Sequence, residues 1–167
     1  MATEPLRLRL LKALQTALEE ITPANGYATD LTGAVFRGRT TFGDTDPLPL
    51  VSILEAPDPI NPLISPRDSG DQKGNWALLI QGFAVDDMDH PTDPAYVLMA
   101  DVIKRLAIEK KKLTDYKVFG SALGKFINNI ELGTRVVRPP DDSSNKAYFN
   151  LSIILDVVES LTDPYED

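Results

Sequence analysis

Five side chains that could meet a hard cation or move a proton crowd into DDMDHPTDP: Asp86, Asp87, Asp89, His90 and Asp93. A calcium loop of the EF-hand type needs oxygen ligands converging on one point, a glycine at its sharp turn and a closing glutamate. The glycine and the glutamate are both missing, so the stretch reads as a solvated strand-to-helix loop, with a small metal-dependent enzyme as the rival reading. His90 is the only histidine, and any Ser-His-Asp arrangement would have to be built around it. Ser52, Ser65, Ser69, Ser121, Ser143, Ser144, Ser152 and Ser160 are available, yet none sits in a G-x-S-x-G elbow. FGSALGKF (119–126) falls short of the G-x-x-x-x-G-K-[ST] spacing that cradles phosphates, and it reads as a turn. With no cysteine there is no disulfide, thiolate nucleophile or thiolate metal site. The residues therefore imply no catalytic site, cofactor or metal.

A different kind of chemistry is offered by Arg37 and Arg39, two residues apart in VFRGR. If the strand continues through both, their guanidinium forks project to one side, suited to bidentate pairing with carboxylates. On an acidic chain those carboxylates can belong to a second copy, and the competing reading is a solvated edge-strand face.

Around these residues the elements follow from periodicity. Leu6, Leu10, Leu14, Ala17, Leu18 and Ile21 recur at three- and four-residue steps, which predicts an amphipathic helix with Thr3 as N-cap and Pro5 in its first turn. Strands are expected over 35–39 and, more deeply buried, over 48–56. PDPINPLISPRDSGDQKG (57–74) holds four prolines and two glycines and predicts a long loop. The apolar run 76–85 suits a central strand covered on both faces. Asp93 and Pro94 read as N-cap and first position of a second helix, with Tyr96, Met99, Val102, Ile103 and Leu106 as its stripe and Lys110 to Lys112 as its end. The stretch 114–126 is ambiguous, and 130–137 and 146–158 predict two further strands. In the last, Ala147, Phe149, Leu151, Ile153, Leu155 and Val157 share a face, which is expected to pack on the two helices.

The expected fold is thus α+β: a mainly antiparallel sheet of about five strands with two main helices on one face, in the order α-β-β-β-α-β-β. At 167 residues and 43% hydrophobic content, one domain over 1–167 is the expectation, with an acidic tail from about residue 160 that frays. A formal net charge of −8 and a pI near 4.6 argue against general binding to phosphate backbones. No apolar run has the length of a signal peptide or membrane span, so a soluble, unexported protein is expected.

In element order, and in the segments Gly33 to Glu55 and Trp76 to Tyr96, the chain resembles the tail terminator (tail completion) family of long-tailed bacteriophages. That resemblance implies an α+β sandwich without catalytic residues. It implies six copies in a ring at the head-proximal end of the tail tube, stopping tube polymerisation and offering a surface to the head connector or head-completion protein. Partners would be the chain itself, the tube protein and the connector, with DNA passing through the lumen without sequence-specific binding and no membrane involved. Localisation would be the virion tail, after assembly in the host cytoplasm. Carboxylates lining the lumen would repel phosphates and let the duplex slide. Subunit or tube contacts are expected from Arg37, Arg39 and Phe42, and from the long loop through Ile60, Leu63, Ile64, Arg67, Asp68 and Asp71. The alternatives are a neck or head-tail adaptor and a monomeric module that holds a peptide with the 57–74 loop.

Overall fold

The computed structural model describes residues 2–56 and 70–167. Helix α1 (Leu6–Glu19) buries Leu6, Leu10, Leu14, Ala17 and Leu18, the stripe its spacing dictates. Its N-terminus is not capped by Thr3; Pro5 precedes it without a side-chain cap. The orphan N–H of Leu6 instead donates to the carbonyl of Pro164 at 2.9 Å, and Ala2 donates to Tyr165 at 3.0 Å. The acidic tail therefore does not fray: its backbone serves as the cap, and Glu166 accepts from Ser160 N at 2.9 Å.

Strand β1 (Val35–Arg37) is three residues long and pairs parallel with β2 (Leu50–Glu55). It stops at Gly38, whose φ of +68° turns the backbone out of the extended region. The expected continuation through Arg39 is thereby corrected.

β3 (Asp71–Phe83) begins five residues before Trp76, so 71–74, assigned to the loop on sequence, belong to the sheet. A ladder is held by backbone bonds, and β5 (Tyr148–Ser160) is long enough to pair Asp71 with Ser160 and Gly74 with Val157 whatever their side chains. At its other end β3 passes Phe149 at Gly82, where an added Cβ would lie 2.1 Å from the ring.

Helix α2 (Asp93–Lys111) is preceded by Thr92 as cap residue, one position earlier than expected, and Asp93 lies inside the first turn. Two 3₁₀ turns, Lys112–Asp115 and Gly124–Phe126, resolve the ambiguous stretch and lead into β4 (Ile127–Arg138). The sheet order is β1-β2-β3-β5-β4, antiparallel except for β1–β2. This is the α+β architecture that the element order predicts.

Both helices lie on one sheet face. Phe149, Leu151, Ile153 and Leu155 are fully buried in one cluster with Leu10, Leu14 and Leu18 of α1 and Leu98, Val102 and Leu106 of α2. Each such side chain contributes about 1.5–3 kcal/mol by leaving water. Helix α2 is buried more broadly than its apolar stripe requires, because Asp101, Arg105 and Glu109 are buried as well.

Candidate interaction surface

Alternation along β3 and β5 puts Phe83, Gln81 and Leu79, with Tyr148, Asn150 and Ser152, on the face away from the helices. An aromatic ladder runs along one end of that face. Phe36 meets Phe42 at 5.5 Å between ring centroids, Phe42 meets Phe83 at 5.4 Å, and Phe83 meets Tyr148 at 5.9 Å. Arg39 lies over Phe36 at 4.9 Å and over Phe42 at 4.7 Å. Its Nη2 donates to Asp46 Oδ2 at 2.8 Å and its Nε to the carbonyl of Thr41 at 3.2 Å. Asp46 also accepts from Gly43 N at 2.7 Å, and this bond first, aided by Arg39, holds its carboxyl below the usual range.

Arg37 behaves differently. It lies on the helix side of β1, where its Nε donates to Gln15 Oε1 at 2.6 Å, while Gln15 Nε2 donates to the carbonyl of Val35 at 2.9 Å. The two arginines thus sit on opposite sides of the sheet rather than one, because Gly38 reverses the chain between them. Arg39 places part of its fork on a carboxylate of its own subunit while its side chain stays 41% exposed, and Arg37, bonded to Gln15, is exposed as well.

The other expected contact residues are not gathered with them. Asp71 opens β3 opposite Ser160, at the far end of the sheet from Phe83 and Phe42. Ile60, Leu63, Ile64, Arg67 and Asp68 lie outside the described residues.

The end of the sheet that carries Leu50, Phe83, Arg138 and Tyr148 brings together three loops far apart in the chain, 38–49, 84–92 and 139–147. With the start of α2 they carry Asp44, Asp46, Asp86, Asp87, Asp89, Asp93, Asp141 and Asp142 against Arg39, Arg138 and Lys146. Much of the chain's negative charge is therefore concentrated at one end. Within it, Asp87 Oδ1 accepts from the backbone N–H groups of Asp89 at 3.0 Å and His90 at 2.9 Å, and Asp86 pairs with Lys146 at 2.5 Å. The acidic cluster is thus a braced loop, and among the described residues no group of three or more acidic or histidine side chains is arranged to hold a metal ion. Between loops 40–44 and 143–146 lies an open cleft of about 440 Å³ floored by Phe42, Leu50 and Phe83.

Two features escaped the sequence reading. One is the docked tail: Arg9 donates to the carbonyl of Glu166 and Lys125 to that of Asp167, and Arg9 lies 4.0 Å from the Asp167 carboxylate. The other is a buried polar stripe on α2. Asp101 accepts from Ala28 N at 3.0 Å, Thr29 N at 2.8 Å and Thr29 Oγ1 at 2.7 Å. Arg105 donates to the carbonyl of Ala17 at 2.8 Å and reaches Glu20 and Glu109, each at 2.6 Å. Glu109 also takes Phe119 N at 3.0 Å and Lys112 at 2.6 Å. The spacing 101, 105, 109 places all three on one helical face, a signal legible in the sequence.

Comparison of the chain with known protein families and with curated proteins yields no match. No helix among the described residues is long and apolar enough to cross a membrane.

Proposed function

We propose that this chain is the ring-forming terminator of a bacteriophage tail tube, a structural virion protein without enzymatic activity. The observation that carries the reading, beside the resemblance in element order, is how the sheet ends. A subunit that must stop a polymer needs a surface for the last tube ring but no edge on which strands can go on adding. Here β1 is three residues long and its Val35 carbonyl is occupied by Gln15. At the opposite edge, register shifts at 127/129 and 132/135 interrupt the regular ladder of β4 with β5, and such bulges bend an edge strand away from flat pairing. The helix-free sheet face and its aromatic end remain for docking. In this reading six copies close a ring, the tube protein meets one side and the head connector the other. DNA passes a lumen kept free of tight contacts by net negative charge.

The test is the length distribution of tubes polymerised from purified tail tube protein. Added chain should shorten and cap them in proportion to its concentration. Tubes of unchanged length, with no density at either end, would remove the proposal.

A further inference from the structure

We infer that α2 is a self-complementary docking face, and that two copies of this chain pair antiparallel along it about a two-fold axis. Among the described residues nothing packs over the outer side of α2, which is unusually apolar for a solvated helix: Tyr96 is 56% exposed, Val97 44% and Ile108 39%. Ala100 and Ala107 lie between them, also exposed. Lys104, the one long side chain in the middle of the stripe, leans away from it, donating to the carbonyl of Gly26 at 2.7 Å and lying over the Tyr27 ring at 4.5 Å. The two alanines are therefore left bare, which lets a second helix approach closely.

The charges select the partner. Along this face Asp93 stands in the first turn and Lys111 in the last. An antiparallel partner centred near residue 102 places Asp93 of each copy beside Lys111 of the other, Val97 beside Ile108 and Tyr96 beside Ala107, with Ala100 and Lys104 at the axis. Tyr96 thus meets the small Ala107, Val97 and Ile108 make an apolar contact, acid meets base at both rims, and the helix dipoles oppose. A parallel partner in the same register would oppose like charges at both ends. The contact closes at two copies, unlike the head-to-tail contact that a ring requires, so the inference stands or falls apart from the terminator reading.

Sedimentation velocity of the isolated chain from micromolar to millimolar concentration tests it. The wild type should shift from monomer to dimer. Val97→Glu, and Ile108→Glu as a second variant should the first fold poorly, should hold it monomeric with unchanged far-UV circular dichroism. Asp93→Lys and Lys111→Asp should each weaken association roughly tenfold by turning two attractive rim pairs into repulsive ones, and the double variant should restore it. Because the chain has no cysteine, Ala100→Cys supplies a unique handle, and a short bismaleimide should give a covalent dimer. A wild type that stays monomeric at millimolar concentration would overturn the inference. So would an oligomer indifferent to Val97→Glu, or a charge swap that fails to rescue.

Discussion

Glu109→Ala is the most informative perturbation of the fold, because Glu109 joins three elements at one buried carboxylate. Its side chain is 2% exposed and that of Arg105 6%. Removing one member of such a pair leaves a buried charge uncompensated, at a cost of about 3–5 kcal/mol. Arg105 would keep Glu20, whose side chain is 57% exposed, and the carbonyl of Ala17, which favours the lower end, about 3 kcal/mol. Phe119 N would also lose its acceptor. Against a total stability of about 5–15 kcal/mol the loss is large, and it corresponds to a melting point lower by roughly 10 °C in a domain of this size. Glu109→Gln, which keeps shape and an acceptor, should cost roughly half as much. Burial acts to raise the Glu109 carboxyl, but the Lys112 ammonium, the Phe119 N–H and Arg105 outweigh it and hold it below its ordinary value of 4.5. A carboxyl depressed in the folded state contributes stability that is complete above 4.5 and lost as pH falls through the folded value. The gap between wild type and Glu109→Gln should therefore be constant from neutral pH to about 5 and narrow below it. Urea unfolding followed by fluorescence of Trp76, the only tryptophan and 4% exposed, reads all of this. A Glu109→Ala chain within about 0.5 kcal/mol of wild type, or a gap that persists unchanged to pH 3, would refute the reasoning.

Four further outcomes follow from the packing. Ile153→Asp buries an unpaired charge against both helices and should leave no cooperative thermal transition in circular dichroism. Gly82→Ala drives a methyl into the Phe149 ring and should cost about 1–3 kcal/mol by urea titration, whereas Gly26→Ala, where nothing lies within 4 Å, should show only the strain of its positive φ. Deleting 163–167 removes the carbonyls that cap α1 and should cost about 1–2 kcal/mol, with faster hydrogen exchange at Leu6 and Arg7. Arg37→Ala with Arg39→Ala should leave the subunit folded, the Arg39 change freeing the 40–46 loop to proteolysis, since exposed pairs add about 0–1 kcal/mol.

The alternation in β5 and the stripe of α1 were legible because a buried face writes its period directly into the side chains. What the sequence did not carry were relations between distant segments. Thr3 looked like the cap of α1, but backbone carbonyls have no sequence signature, and those of Pro164 and Tyr165 took that place. Polar residues hid the start of β3, since ladder bonds at an exposed sheet end are indifferent to side chains. Reading Arg37 and Arg39 as a matched pair assumed an extended Gly38, and a glycine's type does not reveal the sign of its φ. The gathering of three aspartate-bearing loops depends on β5 lying between β3 and β4, which no local pattern states. Asp101, Arg105 and Glu109 were the missed opportunity, because their spacing alone marks a charged stripe along a helix.

In the proposed function, copies of this chain close the head-proximal end of a phage tail tube. Since the chain has no cysteine, one introduced at Tyr116, 68% exposed and outside the ladder, can carry a maleimide-gold label. Electron microscopy of tails assembled with the labelled chain should show gold at one end only, the head-proximal one, with six-fold symmetry in averaged end views. Label spread along the tube, at the distal end, or absent from tails of normal length would rule out a terminator.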